Sequence, residues 1–143
     1  MPTSRDFRAR FEELRDQTAA WVEELNRSEN GQIGTDLRAN AEANLEIVRE
    51  FFGKWSLEIL VTLYSMRAAG FEELRRQLRG ITPRVLSGRL KALEGRNLVV
   101  RQVLDERPPR VRYRLAPDGV TLARLGEPVF LFLRLRKRDT PPP

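Results

Sequence analysis

The chain has no cysteine and no histidine among its 143 residues. Without a thiol it holds no disulfide, no thiol redox switch and no thiolate metal site. Without imidazole it lacks the commonest general base and the commonest transition-metal ligand. Only carboxylate chemistry would remain, and nothing in the sequence arranges carboxylates for it. We therefore expect no enzyme, no cofactor and no metal site. Lysine is scarce as well: Lys54, Lys91 and Lys137 are the only three, and every other basic residue is arginine. Long apolar runs are missing too. No stretch approaches a membrane span, and the charged start Ser4-Arg-Asp-Phe-Arg-Ala-Arg10 lacks the apolar region of a signal peptide. The expectation is a cytoplasmic protein with no membrane partner.

What is present is distributed unevenly. Hydrophobic residues make up 41%, enough for one domain with a core and too many for a disordered chain. The formal net charge is +6, but residues 1–52 hold seven basic and eleven acidic residues, a balance of −4. Residues 53–143 hold the other nineteen basic and nine acidic residues, a balance of +10. Within Arg75–Arg114 twelve cations face only Glu94, Asp105 and Glu106. Genome composition or thermal adaptation explains a preference for arginine over lysine, but not its gathering in one half. That gathering fits a polyanion-binding half joined to a half with another task.

The spacing predicts one long helix over residues 5–27. Phe7, Phe11, Leu14, Thr18, Trp21 and Leu25 recur at alternating intervals of four and three, a heptad seam that Val22 widens. Such a seam packs either inside its own subunit or against a second copy, and we expect the second. Residues 28–35 read as a polar break, after which Thr35 or Asp36 caps a second helix striped by Leu37, Ala41, Leu45, Val48 and Phe52. Gly53 interrupts it, and Ser56 is placed to cap a third helix with Ile59, Leu60 and Leu63 on its core face. Ala116-Pro-Asp-Gly119 has the chemistry of a turn. A last helix carries Leu122, Leu125, Val129, Phe132 and Leu133, with a kink or restart expected at Pro128. The tail from residue 138 reads as disordered.

Phe71–Leu115 carries the strongest signal. A short amphipathic segment, Phe71-Glu-Glu-Leu-Arg-Arg-Gln-Leu78, is followed by a break at Arg79-Gly80-Ile81. Thr82 is a good N-cap and Pro83 suits the first helical position, where a missing N–H costs nothing. If Leu86, Leu90 and Leu93 face the core, Arg84, Gly88 and Lys91 lie almost opposite, with Ser87 and Val85 flanking them and Arg89 nearer the core edge. Two cations around a glycine suit a major groove: Gly88 permits close approach, Arg84 reaches guanine N7 and O6, and Ser87 bonds a base or phosphate. On a lone helix the same residues would only be a solvated face. Here a hairpin follows, Leu98–Leu104 with Val111–Leu115, in which Val111, Tyr113 and Leu115 alternate with Arg110, Arg112 and Arg114. Its tip, Arg107-Pro-Pro-Arg110, either enters a minor groove or pairs locally with Asp105 and Glu106.

The order and spacing of these segments resemble the HxlR family of bacterial and archaeal transcription regulators, from about Glu46 to Leu133. Gly53-Lys-Trp-Ser-Leu-Glu-Ile-Leu60 resembles the family's opening GKW helix, Phe71-Glu-Glu-Leu74 its F-x-E-L segment, and Ile81–Glu94 its recognition helix. Pro108–Leu115 with Gly119 resembles its wing. The resemblance implies a homodimer held by terminal helices, with Thr82, Arg84, Ser87, Arg89 and Lys91 facing DNA and Arg107 to Arg112 forming the wing contact. It also exposes two departures: many members sense oxidants through a cysteine ahead of the GKW helix, which this chain lacks, and its acidic N-terminal region is longer than usual.

The expected fold is thus mostly α with a small β-hairpin wing, a winged helix-turn-helix with N- and C-terminal dimerisation helices. Residues 1–52 form the N-terminal helical region, 53–119 the DNA-binding domain and 120–137 the C-terminal helix, followed by the tail 138–143. The expected function is a regulator that binds double-stranded DNA as a homodimer on a (pseudo)palindromic operator. Arg75, Arg76, Thr82, Arg84, Ser87, Gly88, Arg89, Lys91, Arg107, Arg110 and Arg112 would meet the duplex. Phe7, Phe11, Leu14, Trp21, Leu25, Val129, Phe132 and Leu133 would join the subunits. The rivals are a protein-interaction module within a transcription complex and a sensor of a small-molecule effector. In the sensor reading Trp21, Trp55, Tyr64 and Tyr113 line a pocket, although a core position suits each of them better.

Overall fold

The computed structural model describes residues 3–28 and 37–139. Along the chain run α1 (Ser4–Ser28), α2 (Leu37–Phe51), α3 (Ser56–Met66), β1 (Ala68–Gly70), α4 (Phe71–Gln77), α5 (Pro83–Gly95), β2 (Val99–Leu104), β3 (Arg110–Leu115) and α6 (Pro117–Asp139). Residues 29–35 of the expected polar break, the cap at Thr35 or Asp36, and residues 140–143 of the expected tail lie outside the described residues. Ser28, however, still belongs to α1, and Arg138 and Asp139, expected in the tail, still belong to α6. The described chain forms two compact units. One gathers the residues up to Glu46 and those from Val129, and the other is Ile47–Pro128.

The first unit consists of helix. The start of α1 is closed by a box of hydrogen bonds: the backbone N–H and hydroxyl of Thr3 both donate to Asp6 Oδ2 at 2.7 Å, and the Asp6 N–H donates back to Thr3 Oγ1 at 3.4 Å. These bonds, the backbone one foremost, hold the Asp6 carboxyl below its usual range. Phe11 meets Phe132 edge to face, with ring centroids 5.3 Å apart at 70°. Leu14, Trp21, Val129 and Leu133 are exposed, Trp21 at 58%. The prediction of a core position for Trp21 therefore fails. A heptad stripe on one helix has no partner within that helix and stays exposed until something covers it.

The second unit holds the core. Ile59 and Leu63 of α3, Leu74 of α4, Leu86, Leu90 and Leu93 of α5, Leu98 and Val99 at the start of the hairpin, and Tyr113 and Leu115 of β3 are buried together. The sheet has three antiparallel strands in the order β1-β3-β2, with Ala69 and Arg101 flanking Tyr113 on either side. Strand β1, Ala68-Ala-Gly70, has no alternating pattern in the sequence to announce it. Ser56 does not cap α3. A tight turn from Gly53 puts Trp55 at the cap position in left-handed backbone (φ 76°), and Ser56, already inside the helix, is buried with its N–H bonded to the Gly53 carbonyl at 3.0 Å. Trp55 and Tyr64 pack against the core partly buried, and the Tyr64 hydroxyl donates to Glu127. Glu127 holds the Tyr64 phenol above its ordinary range, first through that hydrogen bond.

Ala116-Pro-Asp-Gly119 is not a free turn either. Pro117 opens α6 and Asp118 sits in its first turn, the arrangement that also suits a helix start. Gly119 lies against the chain leaving α5: a Cβ there would stand 2.2 Å from the Leu98 carbonyl oxygen, which already accepts the Ala116 N–H at 2.9 Å. Helix α6 continues through Pro128 without the restart that had been one of two expectations.

Candidate nucleic-acid interface

Helix α4 ends at Gln77, and the chain turns through Leu78–Ile81, where Gly80 takes φ 90°. Only glycine adopts that backbone without strain. The turn delivers Thr82 to the head of α5 in extended conformation, where its Oγ1 accepts the Val85 N–H at 3.3 Å. Pro83 occupies the first turn as anticipated. The Thr82 oxygen is thus used in capping while its hydroxyl proton stays available as a donor.

The far end of α5 is fixed by a feature the sequence reading passed over. Asn97 takes left-handed backbone (φ 58°), its N–H donates to the Glu94 carbonyl at 2.9 Å, and the Leu98 N–H donates to the Leu93 carbonyl at 3.0 Å. This pair of bonds is a Schellman ending with asparagine in the glycine-favoured place. Gly95 is still helical.

Between these two ends the division of faces follows the leucines. Leu86, Leu90 and Leu93 are buried, and Arg84, Ser87, Gly88 and Lys91 are exposed. Nothing lies within 4 Å of where a Cβ on Gly88 would sit. Arg89 is half-buried, its Nη1 3.9 Å from the Cβ position of Gly53, so it borders the exposed face. Arg75 and Arg76 are exposed on α4, with Arg75 Nη1 3.3 Å from Glu72 Oε1.

The hairpin divides into a root and a reach. Tyr113 and Leu115 are buried at the root, whereas Val103 towards the tip is 55% exposed although it pairs with Val111. Alternation fails in the distal half because neither face has anything to pack against. Arg107 and Arg110 are exposed at the tip, and Arg110 Nη1 lies 3.8 Å from Glu106 Oε2. Local pairing is thus present at one end of the tip. Arg112 differs from the expected solvent-facing row: it is half-buried and donates from Nη2 to the Ala68 carbonyl at 3.0 Å, tying β3 to β1. Among the described residues no carboxylate pairs with Arg84, Lys91 or Arg107. Arg79, Arg101 and Arg114 are further exposed cations of this unit that the sequence reading left out of the site. Arg101 was illegible because β2 lacks alternation.

A buried-leucine helix capped by threonine, entered through a glycine turn and followed by a three-stranded sheet with a projecting hairpin, is a winged helix-turn-helix. The HxlR-like helix-turn-helix profile matches residues 51–129, more than half of the chain. The chain belongs to the HxlR-like helix-turn-helix family. An HTH-type transcriptional regulator of Halalkalibacterium halodurans is 40% identical over 70 residues, covering 49% of this chain and 62% of the relative. The chain thus spans somewhat less than two thirds of that relative's length. Among solved structures, a MarR-family transcriptional regulator of Enterococcus faecalis is 35% identical with a TM-score of 0.56, covering 73% of this chain and 96% of the other. The reduced form of the transcriptional regulator YodB from B. subtilis is 27% identical with a TM-score of 0.54, covering 64% of this chain and 85% of the other. As an HxlR-like chain without cysteine, this one has no thiol through which to register an oxidant. No helix among the described residues is long and apolar enough to cross a membrane.

Proposed function

We propose that this HxlR-like chain is a sequence-specific regulator of transcription that binds double-stranded DNA as a homodimer on a (pseudo)palindromic operator in the cytoplasm, without enzymatic activity. The observation that carries this reading is α5, capped at Thr82, backed by three buried leucines and presenting Arg84, Ser87, Gly88 and Lys91 outward. Arg84 reads guanine through its two-pronged guanidinium, Gly88 lets the backbone come close, and Lys91 and the Thr82 hydroxyl meet phosphates. Arg75, Arg76, Arg107 and Arg110 add phosphate contacts, Arg89 joins at the edge, and Arg112 contributes mainly by holding the wing root.

In this reading the helical regions 1–52 and 120–137 join the subunits and 53–119 reads DNA. The dimer contact uses Phe7, Phe11, Leu14, Trp21, Leu25, Val129, Phe132 and Leu133. The exposure of Leu14, Trp21, Val129 and Leu133 supports it, since a stripe of large apolar side chains on a water-facing helix calls for a cover. Two copies would place their α5 helices in major grooves about one helical turn apart.

Selecting bound duplexes from a random pool tests the reading. An inverted repeat is expected, with affinity falling steeply as salt is raised because each phosphate contact releases counterions. A pool that returns no common sequence, or binding indifferent to salt, would remove it.

A further inference from the structure

Two half-buried cations, Arg89 and Arg96, border the exposed face of α5. Arg96, which closes the helix, has Nε and Nη2 each 2.7 Å from Glu50 Oε1, and its Cζ stands 5.2 Å from the centre of the Phe51 ring. Arg89 lies seven residues earlier, hence on the same side of the helix, with Nη1 beside Gly53. Glu50 and Phe51 are the last two residues of α2, and Gly53 belongs to the turn that leads into α3. One flank of α5 therefore grips the junction between α2 and α3, while Arg84, Gly88 and Lys91 occupy a different face.

The grip is modest in energy but definite in geometry. The side chains of Arg96 and Glu50 are 30% and 49% exposed, so water screens their attraction. The guanidinium, however, satisfies three conditions together: two donors on one carboxylate oxygen, a cationic carbon over an aromatic ring, and a cation at the C-terminal end of α2. An ammonium group, a point charge without a rigid fork, cannot reproduce the first. Helix α2 itself starts in the first unit and ends in the second, since the boundary between the units falls at Glu46.

We propose that Arg96 and Glu50, with Phe51 against the guanidinium, form a pin that positions the recognition helix on the end of α2 and so sets the operator preference of the Arg84–Lys91 face. Arg96 is a positioning residue in this assignment and touches no DNA. The assignment rests on the DNA-binding reading of α5.

The test compares wild type, Glu50→Gln, Arg96→Gln, Arg96→Lys and the swap Glu50→Arg with Arg96→Glu. Each is titrated with the selected operator and with an unrelated duplex, at several salt concentrations. The pin predicts that Glu50→Gln and Arg96→Gln each lower the operator-over-unrelated ratio by roughly two- to tenfold and leave the salt slope unchanged. Arg96→Lys should resemble Arg96→Gln, and the swap should recover part of the ratio. If Arg96 were instead a phosphate contact, Arg96→Gln would weaken both duplexes and lower the salt slope by about one. Glu50→Gln would then release the guanidinium and strengthen both, and either result overturns the pin. Variants that lose only thermal stability at an unchanged ratio overturn it as well. A wild-type chain that prefers no duplex would sink the DNA-binding reading and the pin together, and it is told apart from the other failures because no variant is needed to see it.

Discussion

Replacing Gly88 with alanine should push folding stability and operator affinity in opposite directions. Gly88 sits in the interior of α5, exposed, with φ in no special region and nothing within 4 Å of the added carbon. In the free protein the methyl therefore meets only water, and the substitution removes glycine's backbone entropy cost, a gain of about 0.8–1.0 kcal/mol. For a domain of this size that is a rise in Tm of roughly 3–8 °C, measured at fixed protein concentration because dimerisation would itself shift Tm. In the proposed complex the same methyl would occupy the space between Arg84 and Lys91 that faces the groove floor. Overpacking of that kind costs about 1–3 kcal/mol, or roughly 5- to 150-fold in Kd for the operator. The unrelated duplex, held through phosphates at greater distance, should lose less. Thermal unfolding followed by circular dichroism and a fluorescence titration with labelled operator give the two numbers. A variant that is more stable and binds its operator as tightly as wild type would refute the placement of Gly88 against DNA.

Other variants separate the roles assigned here. Arg84→Ala should relax base preference at one operator position by about 1–3 kcal/mol, whereas Arg110→Ala should weaken all sequences alike and reduce the salt slope by about one, both read from competition titrations. Gly119→Ala should destabilise by about 2–4 kcal/mol in urea unfolding, because the new methyl meets a backbone carbonyl that is held by its own hydrogen bond and cannot swing aside. The Tyr64 phenol is raised by Glu127, so its contribution to stability is complete below the ordinary tyrosine pKa and fades as pH climbs through the folded value. Glu127→Gln should bring the phenolate absorbance change down to lower pH, and an unmoved titration would contradict the contact.

The parts of this architecture that could be read from sequence are those fixed by near neighbours. Thr82 and Pro83 lie within four residues of what they act on, and the leucines of α5 keep the helical spacing that puts them on one face. Cap, helix start and buried face all came out as anticipated. Other features depend on distant partners. Strand β1 is three small residues with no alternation, and it is a strand only because β3, more than forty residues later, lies beside it. Ala116-Pro-Asp-Gly119 carries signals shared by turns and helix starts, and the contact of Gly119 with Leu98 favours the helix. The Ser56 cap failed because Trp55, an unexpected residue for left-handed backbone, had already made the turn. At the site, the exposure of Arg84 and Lys91 followed from helical spacing. The retreat of Arg112 to the Ala68 carbonyl did not, since the strand that offers that carbonyl was itself invisible.

The same small strand has a mechanical effect on the hairpin. With β1 on one edge and β2 on the other, β3 is braced on both sides at its base, whereas the loop from Asp105 to Pro109 is joined only to its own two arms. Residues can be inserted or deleted in that loop without disturbing the braced base. A change of loop length would therefore alter how far the arm reaches while leaving α5 and its cap where they are.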